Sequence, residues 1–344
     1  MSIRQPSPDL DAIARRRARV EFARTADGWD IALHRYAVPG TDLPPVILCP
    51  GYACNRHFID SDDRYSLARF LARRGFDSWV LELRGRGYSE HVFGVGRRGW
   101  TFDDLVRFDA PAAVAHVRGR SGGRRPVWIG HSMGGMIMYA ALGQEPTLGE
   151  AVAGLVTLAS PVAFQPVVSR AARLLGEMLL SVPLPMHLPQ AGVLVALWSI
   201  ASRSPQAARI GMNPANIDHR AFGRALRRFM CNVSRGKLRQ FTRWSLSGTF
   251  CSYDGGIDYR ANLSRITTPA LLIAGAADRL ASPETVGFAY DRINSACKRY
   301  REFGGRQGDS ADYGHVDLMF GRHAPEEVFP TIGAWIEQEL DSRC

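Results

Sequence analysis

Continuous apolar runs alternate along the first part of the chain with apolar positions at helical spacing. Val46–Cys49 and residues 127–130 are short apolar runs, a pattern typical of strands that are buried on both faces of a parallel sheet. Residues 65–74 and 102–117 follow helical spacing instead. Strands that alternate with helices in this way predict a mostly parallel sheet with right-handed crossovers.

The alternation stops after the apolar run at residues 154–159. Residues 162–252 are rich in Leu, Met, Pro and Arg at helical spacing and contain no clear strand. The pattern then resumes with a strand at 268–275 and ends with an amphipathic helix at 326–340. We therefore predict an α/β fold with an inserted helical cap, or lid, over the sheet edge. The core comprises residues 1–161 and 253–344, and the cap comprises residues 162–252.

One serine lies where a strand is predicted to turn sharply into a helix. The sequence Gly130-His131-Ser132-Met133-Gly134 follows a buried apolar run and precedes a helix-like segment. Flanking glycines let the chain make this tight turn, and the turn exposes the hydroxyl above the sheet edge. Ser132 is therefore the candidate nucleophile.

A nucleophilic serine on such a strand-to-helix turn, known as a nucleophile elbow, needs a base and a third group that orients the base. In this motif both groups come after the serine in the chain. Asp278 comes just past the predicted strand at 268–275, where α/β sheets place their chemistry. His315 lies in the loop between the last predicted strand and the last helix. The order Ser132, Asp278, His315 is the order that the elbow motif predicts. We expect the His131 side chain to point away from the nucleophile and toward the core, and Asp317 to brace the His315 loop.

Two backbone N–H groups are candidates for the oxyanion hole. The N–H of Met133, the residue after the nucleophile, is the first. The second is expected in the loop Pro50-Gly51-Tyr52-Ala53, directly after the strand Val46–Cys49, and we assign it to Tyr52.

The formal net charge of the 344-residue chain is +10, and the cap region carries the excess. Residues 163–252 include twelve basic residues and only two acidic ones. A basic face of this kind attracts anionic lipids or substrates. A nucleic-acid partner is not expected, because no binding motif is present. The apolar run at 191–201 is too short to span a membrane and is interpreted as a lid helix or a buried helix.

The cysteines favour a reducing compartment, and we expect no cofactor. Six cysteines lack metal-site or paired spacing, which predicts free thiols and no metal centre. Residues 1–10 are polar and contain two prolines, so we expect no secretion signal and a cytoplasmic location. The sequence does not indicate an oligomeric state.

These motifs resemble those of the α/β-hydrolase superfamily over nearly all of the chain outside the cap. Within it, residues 100–104, 108–112 and 315–317 look like the matching segments of acid lipases, lysosomal lipase-type esterases and bacterial lysophospholipase-like proteins. Pro50-Gly51 stands where those relatives commonly have His-Gly. Together with residues 132–135, it is locally similar to cutinases and polyester hydrolases. The resemblance implies a serine hydrolase that cleaves small-molecule or lipid esters through an acyl-enzyme.

Other functions use the same residues or none of them. An acyltransferase or an acyl-CoA thioesterase would use the same triad, although polyhydroxyalkanoate synthases carry Cys at the nucleophile position. A cutinase-like polyester hydrolase would take small or aromatic esters. A non-catalytic binding protein on a hydrolase scaffold is the alternative from another class.

Overall fold

The structure is a computed structural model and describes residues 18–36, 40–89, 99–164 and 211–339. A single sheet runs through these residues. The strand order is β1-β2-β4-β3-β5-β6-β7-β8. The strands are β1 (Arg19–Arg24), β2 (Asp30–Tyr36), β3 (Val46–Cys49), β4 (Ser78–Glu82), β5 (Val127–His131), β6 (Gly154–Leu158), β7 (Ala270–Gly275) and β8 (Lys298–Phe303).

The sheet is parallel from β4 onward, whereas β1 and β2 add an antiparallel edge. The β1–β2 hairpin turns at Gly28, whose φ is 87°, in the left-handed region that glycine adopts without strain. The strands β3 to β7 are buried throughout, as expected for strands covered on both faces. The prediction of a mostly parallel α/β sheet is confirmed.

Helices flank the sheet and bury apolar faces against it. In the longest core helix, which follows β5, eleven of the twelve residues are buried. The helices are α1 (Leu67–Arg73), α2 (Ala110–Arg120), α3 (Met133–Gln144), α4 (Pro146–Ala151), α5 (His219–Phe229), α6 (Arg235–Ser247), α7 (Pro283–Arg292), α8 (Asp317–Phe320) and α9 (Ala324–Ala334).

The segment between β6 and β7 contains α5 and α6, so at least part of the predicted cap is helical. About half of the predicted cap, residues 165–210, lies outside the described residues, and so does the apolar run at 191–201. The cap with its boundaries therefore stays a prediction. None of the helices in the described ranges combines the length and the apolar character that a membrane-spanning segment needs.

The helix predicted at residues 102–117 is interrupted by a π-helical turn at Leu105–Asp109. Asp109, the last residue of this turn, is fully buried and accepts hydrogen bonds from Arg84 Nε at 2.7 Å and Arg84 N–H at 3.0 Å. The guanidinium of Arg84 also donates to the partly exposed Asp27 at 2.7 Å. π-Helical turns are frequent at functional sites. This turn ends at Asp109, whose carboxylate neutralises Arg84.

The cysteines differ in part from expectation. Cys49, Cys54, Cys231 and Cys251 are free thiols, but Cys297 is disulfide-bonded. The free-thiol prediction is therefore wrong for Cys297. Spacing rules find short motifs, whereas a disulfide depends on which distant segments the fold brings together.

Asp109→Ala should lower the free energy of unfolding by about 3–5 kcal/mol, because it leaves the Arg84 charge buried and under-compensated. The measurement is chemical denaturation at neutral pH. Asp27→Asn is the matched control: its carboxylate is 27% exposed, so we expect a loss of at most about 1 kcal/mol. Equal losses in the two variants would contradict the assignment of Asp109 as the main partner.

Candidate active site

Ser132 occupies a strained turn between β5 and α3. Its backbone φ is 52° and its ψ is −120°, an unfavourable conformation for a residue with a Cβ. The packing around it leaves no room for larger neighbours. A Cβ on Gly130 would overlap the backbone of the first turn of α3, and a Cβ on Gly134 would overlap the carbonyl of Cys49. The flanking glycines thus let the helix approach the sheet closely enough to form the elbow.

His315 and Asp278 form a buried hydrogen-bonded pair at the ends of the neighbouring strands. The distance from His315 Nδ1 to Asp278 Oδ2 is 2.8 Å. The second carboxylate oxygen, Oδ1, accepts the backbone N–H groups of Leu280 and Ala281 at 2.8 and 2.9 Å. Asp278 is therefore held by its own loop, and its contact at Nδ1 leaves Nε2 as the free nitrogen of the His315 ring for proton transfer.

The serine and the histidine line one cavity of about 580 Å³. Its exposed wall is mainly apolar and aromatic. The residues that line it include Gly51, Tyr52, Phe58, Ser132, Met136, Phe164, Phe222, Leu226, Phe229, Phe241, His315 and Val316. The structure therefore brings Ser132 and His315 to one cavity, with Asp278 buried behind the histidine.

The loop after β3 lies directly against Ser132. A Cβ built on Gly51 would be 3.2 Å from Ser132 Cβ, so the backbone of this loop is within reach of a group bound to the serine. Met133 is the first residue of α3, and the first N–H groups of a helix have no partner within it. Among the described residues, the N–H of Tyr52 also has no protein acceptor. Both predicted oxyanion donors are therefore located beside Ser132.

The His131 side chain is buried, as expected for a ring directed toward the core, and it also contacts His315. Its ring lies against the His315 ring, with centroids 4.9 Å apart, and its Nε2 donates to the His315 carbonyl at 3.0 Å. Burial, and then the nearby His315, lower the pKa of His131 to about 3, so its ring is neutral at ordinary pH. The local motif carries no signal of this contact, because the two histidines are far apart in the chain.

Asp317 braces the loop that carries His315. Its Oδ2 accepts the N–H of Gly314 at 2.7 Å and the N–H of Asn213 at 2.9 Å. Burial, and to a smaller extent the nearby Asp278, raise the pKa of Asp317 to about 7. These two hydrogen bonds join the histidine loop to the segment that leads into α5.

A helix between β6 and β7 supplies one wall of the cavity that sequence reasoning did not assign. The apolar side of α5 contributes Phe222, Leu226 and Phe229, which follow helical spacing. That spacing was the available signal, but the face that it covers depends on the tertiary fold. No group of three or more residues that could hold a metal occurs among the described residues.

A family model described as serine aminopeptidase, S33 matches residues 46–306. The chain belongs to this family. The match includes Ser132 and Asp278 but ends before His315. It covers the sheet from β3 to β8 and confirms the α/β-hydrolase fold.

Known lipases and esterases are similar to this α/β-hydrolase over most of their length. The triacylglycerol lipase 1 of Arabidopsis thaliana is 26% identical over 89% of this chain and 84% of the lipase. The gastric triacylglycerol lipase of Bos taurus is 22% identical over 90% of this chain and 85% of the lipase. A thermophilic esterase from Thermogutta terrifontis superimposes with a TM-score of 0.61 at 19% identity, covering 93% of this chain and 98% of the esterase.

Family membership, the lipase relatives and the shared fold identify an α/β-hydrolase of the serine esterase and lipase type, a class of enzymes that hydrolyse carboxylic esters. The resemblance stated from the sequence motifs is thereby confirmed.

The raised pKa of Asp317 predicts how stability depends on pH. Between the ordinary pKa of 3.8 and the folded value of about 7, the unfolded chain loses a proton that the folded protein keeps. Stability from this group is therefore complete below about pH 4 and is lost as the pH rises through 7, by at most about 1.4 kcal/mol per pH unit.

Asp317→Asn should remove this slope and be at least as stable as the wild type above pH 7, because both hydrogen bonds use one oxygen that an amide can replace. Unfolding free energies measured from pH 4 to 8 check this. Parallel pH profiles for wild type and variant would contradict the assignment.

Proposed function

We propose that this protein hydrolyses esters of apolar carboxylic acids with Ser132 as the nucleophile, His315 as the general base and Asp278 as the group that orients the histidine. The observation that carries the proposal is the strained Ser132 and the His315–Asp278 pair at one aromatic-lined cavity. A nucleophile, a base and an orienting group are the parts that acyl transfer needs.

The reaction proceeds through a covalent ester. His315 Nε2 takes the proton of Ser132 Oγ as that oxygen bonds to the substrate carbonyl carbon, and the carbonyl oxygen becomes an oxyanion. The N–H groups of Tyr52 and Met133 stabilise it. Asp278 stabilises the imidazolium. His315 then protonates the leaving alcohol, and a water molecule, deprotonated by His315, releases the acid and restores Ser132.

The cavity favours an apolar acyl group. Aromatic and aliphatic side chains from three separate parts of the fold form its wall, including Phe58, Phe229 and Phe241. Burying the acyl chain of a substrate against this wall contributes roughly 0.8 kcal/mol of binding free energy per methylene. Because two of the relatives are named triacylglycerol lipases, we propose a lipid ester as the natural substrate class.

The outer face of α5 supports a further proposal, that the protein contacts anionic lipid surfaces. Arg220, Arg224, Arg227 and Arg228 are exposed, whereas Phe222, Leu226 and Phe229 on the other side are buried. A helix with a basic outer face attracts anionic headgroups, and this one would place the cavity beside the lipid.

The cytoplasmic location also stays a prediction. Disulfides are rare in a reducing cytosol, so the bonded Cys297 weighs against it.

Ser132→Ala should lower the rate of ester hydrolysis by about 10⁶-fold, as losses of a triad nucleophile do. The assay is a series of p-nitrophenyl esters from two to sixteen carbons, with the exposed Ser264→Ala as control. A long-chain optimum supports a lipase-like enzyme, and a short-chain optimum supports a cutinase-like one.

Other substrates and an added acceptor separate the alternative functions. Preferred cleavage of acyl-CoA indicates a thioesterase, and faster turnover with an added alcohol indicates an acyltransferase. Preferred cleavage of an aminoacyl p-nitroanilide indicates the peptidase chemistry of the family name. Activity that survives in Ser132→Ala would contradict the nucleophile assignment.

Replacing Arg220, Arg224 and Arg227 with Gln should weaken binding to phosphatidylglycerol-containing vesicles by about 100-fold, since each basic residue near an anionic surface contributes about 1 kcal/mol. Vesicle sedimentation measures this. Hydrolysis of a soluble short-chain ester should stay within about twofold.

The charge-matched control replaces the exposed Arg265, Arg292 and Arg306 with Gln. Equal loss of binding in both triple variants would show that net charge, and not the α5 face, causes the attraction.

A further inference from the structure

A buried arginine holds the loop that carries the proposed oxyanion donor. Arg86 is 1% exposed, and its Nη1 donates to the carbonyl of Gly51 at 2.8 Å and to the carbonyl of Cys54 at 2.7 Å. These two carbonyls lie on either side of Tyr52 and Ala53. A single nitrogen therefore bridges both ends of the segment beside Ser132.

Unlike its neighbour Arg84, Arg86 has no carboxylate among the described residues to neutralise its charge. Arg84 is paired with Asp27 and Asp109, whereas no carboxylate forms an ion pair with Arg86 among the described residues. The Nη2 of Arg86 is buried and has no partner in that part of the chain. A buried charge without a counter-charge is costly for folding. Stability therefore does not explain why a cation lies here.

The contact with Gly51 falls on the peptide group that matters for the reaction. The carbonyl of Gly51 and the N–H of Tyr52 belong to one peptide unit. A cationic donor on the carbonyl oxygen polarises this unit, and hydrogen bonds in a chain strengthen one another. The Tyr52 N–H thereby becomes a stronger donor towards negative charge on its other side.

We propose that Arg86 is a positioning residue that orients and polarises the Gly51–Tyr52 peptide, so that its positive charge stabilises the oxyanion through one peptide unit. The inference rests on the proposed function, because it needs Ser132 as the nucleophile and Tyr52 as an oxyanion donor.

Other contacts keep the Tyr52 segment in the orientation that this role requires. The ring of Tyr52 lies 4.7 Å from the ring of Phe241, and Lys237 Nζ lies 5.0 Å from its centroid. Burial, and then the charge of Arg86, lower the pKa of Lys237 well below its ordinary value. Ala53 has a φ of 56°, a conformation that persists only where the surroundings impose it.

Removing the charge should affect the transition state more than the bound substrate. Loss of an oxyanion donor costs about 10²–10³-fold in kcat, and Arg86 acts on such a donor from behind. We expect Arg86→Met to lower kcat by about 10- to 100-fold and to change KM by less than about threefold. Arg86→Lys, which keeps a charge, should lie between Arg86→Met and the wild type.

The decisive measurement compares two inhibitors of similar length, octylboronic acid and octan-1-ol. The boron atom bonds to Ser132 Oγ, whose proton passes to His315, and the tetrahedral adduct carries the negative charge of the oxyanion. The alcohol occupies the cavity without that charge. Arg86→Met should weaken boronate binding by about the same factor as kcat/KM and leave alcohol binding within about twofold.

The ratio of the two inhibition constants is independent of how much of the variant is folded. Asp27→Asn is the control, since it perturbs the neighbouring Arg84 without touching the Tyr52 loop. We expect its ratio to equal that of the wild type.

Two failures can be told apart. If Ser132→Ala keeps its hydrolysis, the proposed function is wrong. If Ser132→Ala is inactive but the Arg86 variants show the wild-type ratio of inhibition constants, or lose both affinities equally, the triad stands and the role of Arg86 is wrong.

Discussion

The close approach of α3 to the end of β5 is the constraint on which the rest of the site depends. The helix packs so tightly that a Cβ on Gly130 or Gly134 would overlap backbone atoms, and Ser132 consequently adopts a φ of 52°. This arrangement puts Ser132 next to Gly51 and puts the N-terminus of α3 beside it. The almost entirely buried α3 and the parallel strands around β5 supply the packing that maintains the strain.

Much of the fold and the positions of several candidate site residues could be predicted because their signals lie in the sequence pattern. Apolar runs marked the buried strands, and the strand-to-helix context marked Ser132. Asp278 and His315 follow the last strands of a parallel sheet, and parallel strands present their carboxyl ends at one edge. Chain order was therefore enough to predict that these side chains meet, and the structure places His315 Nδ1 2.8 Å from Asp278.

What could not be predicted depends on contacts between distant segments. The hydrogen bond from His131 to the His315 carbonyl joins residues 184 positions apart, and no local pattern encodes it. The contacts of Arg86 have no signal in the sequence, because its partners on Gly51 and Cys54 are backbone carbonyls. The π-helical turn that ends at Asp109 was hidden inside a regular helical pattern. The side of α5 that faces the cavity likewise required the tertiary structure.

The hydrogen bonds from Arg86 to Gly51 and Cys54 also couple the loop after β4 to the loop after β3, so the two loops have to change together. Pro50-Gly51 stands where the resembled lipases commonly have His-Gly, and the loop that contains Arg86 reaches across to that very turn. A loop of different length or shape grafted after β3 would leave the guanidinium of Arg86 without these two carbonyl acceptors. Exchanges between family members should therefore move both loops together, even though more than 30 residues separate Gly51 from Arg86.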